Sequence, residues 1–364
     1  MKPHQSIEAG RSRWWQVESG FTLIELMAGL VIALVIVAAG FTAMTSTNKA
    51  ARANDQAANT QQNVRLAMEL IAGDIRMAGF GMTAPVGACN YAIVPADNNP
   101  ALPLNAINDT GPDSVSLVVP ITSNVAPVWT LAVQATGPFT TIQLQAGAVG
   151  PAATPGTMQA AGLVVNGSVS IGGAMSGNVT GIAGDVLTLA NTVGAPSVFP
   201  VGTPVYLLQC ITYAISNNAV VCGSNGPCLT RGGVAIADGI EDIQLAYACD
   251  GCNVAVNGGI ADRVVDDQNG SNTFDIADFI SNNTWAAAPM TPDTIRLIQV
   301  SVVARQTGNE QGLSEMKNTP VNTTGAVVVG DHNPSNDAGF NLATYQQVRR
   351  RVLTRTVDAR NLGL

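Results

Sequence analysis

Ser19-Gly20-Phe21-Thr22-Leu23-Ile24-Glu25-Leu26-Met27, followed without a break by AGLVIALVIVAAGF (residues 28–41), decides how the rest of this 364-residue chain is read. Between Phe21 and Asn48 the single charge is Glu25, and from Leu26 to Phe41 no side chain is polar. The apolar span covers about 20–24 residues, enough to cross a bilayer as a helix. The basic residues Lys2, Arg11 and Arg13 precede it, in a leader that ends at Ser19-Gly20. A secretory signal places its cleavage site after the apolar region. Here a cut after Gly20 would leave the helix attached to the mature protein. The leader charges predict that residues 1–20 stay cytoplasmic and that the C-terminal bulk is sent outward. A carboxylate in such a span costs roughly 2.5–3.5 kcal/mol near the bilayer centre and less near its edge. Glu25 is therefore expected either to find a partner on another chain, having none in its own segment, or to snorkel at the headgroup level.

Composition narrows the class. Charged residues make up 12% and hydrophobic residues 46%, while 37 Gly and 19 Pro break the chain often. So few charges cannot keep a disordered tail solvated. A formal charge of −8, with 25 acids against 17 bases, argues against a nucleic-acid partner. Histidine is sharper still, with only His4 and His332 present, the former inside the leader. One remaining histidine cannot build a paired-His zinc site. His332, in GDHNPSNDAG, has no nucleophile elbow near it. It reads as a surface-loop residue, and the chain reads as a non-enzyme.

Beyond the span the helical period continues. Val64, Met68, Ile71, Ile75 and Ala78 fall on one face, with Arg65, Glu69, Asp74 and Arg76 elsewhere around it. Gly79-Phe80-Gly81, with Pro85 beyond, predicts the stop. No proline interrupts the region, and Gly29 and Gly40 are its loosening points. The text then changes to short β-type runs split by Gly, Pro and Asn: DSVSLVVPI, TTIQLQAG, GLVVNGSVSI, GDVLTLAN and TPVYLLQC. ITYAISNNAVVC predicts a hairpin turning at Asn217-Asn218. GIEDIQLAYAC, TIRLIQVSVVARQ and RVLTRTVDARNL read as later strands.

All six cysteines lie past the span: Cys89, Cys210, Cys222, Cys228, Cys249 and Cys252. An even number on an exported chain points to disulfides. By sequence distance the cheapest closures are Cys222–Cys228 and Cys249–Cys252, leaving Cys89–Cys210. A redox pair at Cys249-Asp-Gly-Cys252, or a zinc site with Cys222 and Cys228, is the competing reading, weakened by poor zinc spacing. Asp267, Asn269, Ser271, Thr273, Asp275 and Asp278 follow the spacing of a twelve-residue Ca²⁺ loop, with Thr273 offering its carbonyl. Asn272 stands where that loop expects glycine, and Asp278 replaces a longer glutamate. A solvated acidic turn is the alternative. Arg349-Arg350-Arg351, Arg355 and Arg360 read as the solvated face of a final strand.

The ESG-FTLIELM motif resembles the cleavage and methylation signal of type IV prepilins. The resemblance implies that a prepilin peptidase cuts between Gly20 and Phe21 and N-methylates Phe21, and that Glu25 pairs with a neighbouring subunit's N-terminus. DIRMAGFG at the end of the long helix, together with DGIEDIQLAYAC, TIRLIQVSVVARQ and RRRVLTRTVDARN toward the C-terminus, resembles the PilW-type minor pilins. That family implies an α+β, type IV pilin-like fold, with a long N-terminal spine helix on a β-rich globular head. The organisation expected is a cleaved leader over 1–20, a transmembrane spine over 21–80, a β-rich insert or first lobe over 81–205, and a C-terminal β-rich pilin lobe with the candidate metal loop over 206–364. The function implied is a minor pilin in a priming or tip complex, beside other minor and major pilins and a PilY-type tip adhesin. It would rest in the inner membrane with a periplasmic head before joining the surface pilus. A minor pseudopilin of type II secretion and a membrane-anchored exported adhesin are the rival readings.

Overall fold

The structure is a computed structural model and describes residues 20–100, 104–107, 109–121, 129–149, 157–193, 198–223, 226–306 and 325–361. The leader residues Lys2, His4, Arg11 and Arg13 fall outside them. Helix α1 (Leu23–Met77) runs unbroken for 55 residues, straight through Gly29 and Gly40. The chain divides into two compact units, residues 1–54 and 55–364. In the first, the apolar side chains from Phe21 to Met44 are exposed. Among the described residues, α1 is the one helix long and apolar enough to cross a membrane.

In the second unit α1 buries the stripe its period predicts. Val64, Met68, Ile71, Ile75 and Ala78 are all buried, joined by Ala67 and Ala72. The helix stops because Gly79 and Gly81 take positive φ (78° and 63°). A side chain at Gly81 would also meet the backbone of Gly173 at 2.8 Å, so that position admits glycine alone.

The head strands are β1 (Ile93–Ala96), β2 (Ser114–Pro120), β3 (Ala135–Thr136), β4 (Phe139–Gln143), β5 (Ser168–Ile171), β6 (Met175–Ala183), β7 (Val186–Val193), β8 (Val198–Phe199), β9 (Val205–Ser216), β10 (Cys228–Arg231), β11 (Val234–Asp238), β12 (Ile240–Cys249), β13 (Ile295–Arg305) and β14 (Arg350–Asp358). Among the described residues nine of them form one sheet, with the path β1-β2-β9-β5-β6-β7-β4, β10 on β9 and β11 on β10. A second sheet is the antiparallel β12-β13-β14. Strand β2 shows why α1 docks here. Val115, Leu117 and Val119 point into the core that holds the helix stripe, while Val118 points the other way, into a smaller cluster with Val86, Cys89 and Leu208.

Two sequence-based expectations need correction. The boundary set at 205/206 falls on the first residues of β9. That strand pairs with β5 over Val205–Leu208, with β2 over Leu208–Tyr213 and with β10 over Tyr213–Ser216, so it belongs to both sides. A separate core does exist, built from residues between Trp129 and Leu207, but β1 and β2 share the core of α1 and the C-terminal strands. The lobe is thus an insert of about this shorter range within the main head. The second correction concerns Asn217-Asn218, where the chain does turn but AVVC is not a strand. Asn218 Oδ1 accepts from Val220 N (2.9 Å) and caps a helical turn at Ala219–Cys222; the returning strand is β10. Asparagine favours its own backbone as a partner, so the capped turn wins over a two-residue hairpin.

Candidate functional site

Thr22 and Glu25 close a reciprocal cap at the start of α1. The Thr22 N–H and hydroxyl donate to Glu25 Oε2 (3.1 and 3.0 Å), and Glu25 N–H donates to Thr22 Oγ1 (3.3 Å). This is the capping box, in which one side chain satisfies the helix-terminal amide and the other returns to the cap residue. Glu25 therefore does have a partner in its own segment, contrary to the expectation from charge alone. The signature Thr-x-x-Glu is legible at residues 22–25, although the apolar run around it is the stronger local signal. Gly20 and Phe21 precede the helix in exposed, non-helical backbone, Phe21 at 87%.

The lower end of α1 is tied to the head by a charge that sequence placed off the apolar face. Asp74 is buried, and its Oδ2 accepts from Tyr213 Oη (2.6 Å) and from Arg231 Nε (2.7 Å). Tyr213 and Arg231 are register partners across β9 and β10. Burial first, and then the Asp74 carboxylate, push the Tyr213 hydroxyl well above its ordinary range, so it stays a donor. Three disulfides join Cys89 to Cys210, Cys222 to Cys228 and Cys249 to Cys252, the pairing that sequence distance favours. Among the described residues no cysteine is free, which leaves no dithiol for a zinc site.

His332 is not a surface residue. It is buried, with Nδ1 2.8 Å from Asp242 Oδ2 and Nε2 2.9 Å from Asp337 Oδ1. Burial would favour the neutral ring, but the two carboxylates outweigh it and raise its pKa to about 9. With both ring nitrogens held by acids, it is a structural cation rather than a proton shuttle. Arg350 likewise departs from the solvated-face reading. It pairs with Glu241 and lies over the Tyr345 ring, 3.3 Å from its centroid. Arg355 does stay at the surface, bonded to Glu69 of α1 (2.9 Å).

The 267–278 loop folds as nested turns. The amides of Asn269, Gly270, Ser271 and Asn272 all donate to the Asp267 carboxylate. Burial acts to raise Asp267, and these amides outweigh it and lower it. Asn272 takes the positive φ (63°) that its place in the loop requires. Asn269 Nδ2 donates to Asp275, and the Ser271 hydroxyl donates to the Thr273 carbonyl. Asp278 is fully buried and accepts from Gln268 N and Asp275 N. The loop's acids thus take their partners from within the loop itself.

Known proteins match at both ends of the chain. Residues 15–41 match the prokaryotic N-terminal methylation motif, and residues 212–361 match the type IV pilus-assembly protein W family. Pilin-like protein PilA3 of Thermus thermophilus is 33% identical over 63 residues, 17% of this chain and 27% of that protein. The match therefore spans about a quarter of that relative's length. No solved structure matches. A long apolar first helix, a β-rich head and these two matched segments define the class of type IV pilins. Within that class, the chain is a type IV pilin with a C-terminal PilW domain.

Proposed function

We propose that the chain is a structural minor pilin, non-catalytic, that enters a type IV pilus through its priming or tip complex. The observation that carries this reading is the exposed Gly20–Phe21 bond directly before a capped, membrane-length helix. The prepilin signal and apolar helix anchor the chain in the membrane before assembly. In this reading the peptidase cuts at Gly20–Phe21 and N-methylates Phe21, the head faces the periplasm, and major pilins, other minor pilins and a PilY-type adhesin are the neighbours. N-terminal mass spectrometry on sheared surface fibres tests it. A peptide beginning with N-methyl-Phe21 in the fibre fraction is expected. An uncut N-terminus confined to membranes would instead favour the anchored adhesin.

Glu25 is assigned two roles here, cap and inter-subunit partner, and they can be separated. Thr22→Ala removes the cap partner while keeping the carboxylate, at a helix cost of about 0.5–2 kcal/mol, and should leave incorporation into fibres. Glu25→Ala should abolish incorporation at an unchanged cellular level, read by immunoblot of sheared fibres against whole cells. Equal incorporation of both variants would sink the assembly role.

A further inference from the structure

Asp97, Asp109 and Asp331 each bring a carboxylate oxygen to within 4.8 Å of the others. They come from three segments: the turn after β1, the approach to β2, and the stretch that follows residue 325. Asp109 N donates to Asp331 O (3.1 Å), and Asp109 and His332 form a parallel bridge, which fixes two of the three in register. Asp109 and Asp331 are 0% and 1% exposed. Among the described residues, neither oxygen of Asp109 or Asp331, nor Oδ2 of Asp97, has a hydrogen-bond partner.

A second observation points the same way. The Tyr247 hydroxyl is buried without a partner among the described residues, in the field of Asp113, Asp97 and Asp331. The Tyr247 hydroxyl donates to none of the five orphaned oxygens, while Asp97 and Asp109 lie close enough to share a proton. Asp113, beside them, is already satisfied by Asn98 N (3.1 Å) and Leu245 N (2.9 Å). The His332 ring is turned to Asp242 and Asp337.

Buried charges persist in proteins when they are paired or hold a metal. Burial, and next the neighbouring acids, push Asp109 up to about 7; burial, with the Asp97 charge among its causes, takes Asp331 to about 6. The like charges need a shared proton or a cation. Oxygen-only, anionic donors, two of the three buried, suit a hard divalent ion and not a soft one. We propose that Asp97, Asp109 and Asp331 form a binding site for a hard divalent cation, Ca²⁺ foremost, which clamps Asp97 and Asp109 to the segment at residue 331.

The test uses the full chain in detergent, stripped with EDTA and then given Ca²⁺ or Mg²⁺. Ca²⁺ at roughly 100-fold excess over Kd should raise Tm by about 5 °C. Asp331→Asn keeps the shape and removes one buried charge. It should raise Tm above the unsubstituted chain in EDTA and abolish the Ca²⁺ shift, so that the two melting curves exchange order. Asp267→Ala, in the other acidic loop, should keep the shift. Asp97 is half-buried at the rim, so Asp97→Asn gives a milder variant that remains folded; fewer ligand charges should weaken Ca²⁺ affinity roughly ten-fold or more. The proposal is overturned if neither ion shifts Tm in the unsubstituted chain. It is equally overturned if the shift survives Asp331→Asn and Asp97→Asn but vanishes in Asp267→Ala, which would place the ion in the 267–278 loop.

Discussion

The double variant Cys89→Ser, Cys210→Ser is expected to lose about 4–5 kcal/mol of stability, the scale for closing a loop of roughly a hundred residues. The bridge spans 121 positions, so it removes far more freedom from the unfolded chain than the other two, which span 6 and 3. It also joins the segment just past the end of α1 to the middle of β9, beside a small apolar cluster of Val86, Val118 and Leu208. Opening Cys249–Cys252 in the same way should cost much less. Urea unfolding of the three double-serine variants measures the ranking. Equal losses for all three would mean that loop length is not what sets the contribution.

Asp74→Ala should cost about 3 kcal/mol. The hydroxyl of Tyr213 would be left buried without its acceptor, worth about 1–3 kcal/mol, and a charge-assisted bond to Arg231 would go with it. Arg231 is 35% exposed at its side chain and recovers part of its loss from water. Asp74→Asn retains an acceptor for Tyr213 and should lose about half as much. The effect should also be shared, because Tyr213→Phe in the Asp74→Ala background removes the orphaned hydroxyl and should restore part of the stability. A loss below about 1 kcal/mol in Asp74→Ala would show that the helix is held by its apolar stripe alone.

Local rules explain why much of the fold could be read in advance. The stripe Val64, Met68, Ile71 and Ile75 obeys a helical period, and every member is buried. DSVSLVVPI and TIRLIQVSVVARQ alternate and became β2 and β13. Asn218 and Thr22 show the limit of such reading. In each, a short polar side chain bonded to nearby backbone decides the local shape, and that signal is weaker than the apolar pattern around it. Asp74 and His332 failed for a different reason. A polar residue reads as exposed unless its partner is known, and the partners Arg231 and Asp242 lie 157 and 90 positions away.

The sequence by itself determined the membrane-length helix, the methylation motif over residues 15–41, the glycine stop and the cheap cysteine pairings, because each depends on residues close together in the chain. The tertiary structure alone decided that β9 joins three strands, that Asp74 anchors α1 to the sheet, and that Asp97, Asp109 and Asp331 converge. The residues around those three acids, DNNP, DTG and GDHN, are ordinary turn-forming types. Asp97 and Asp109 are near in the chain, but only a backbone bridge across more than 200 positions brings Asp331 within reach of them, and no local preference encodes such a distance.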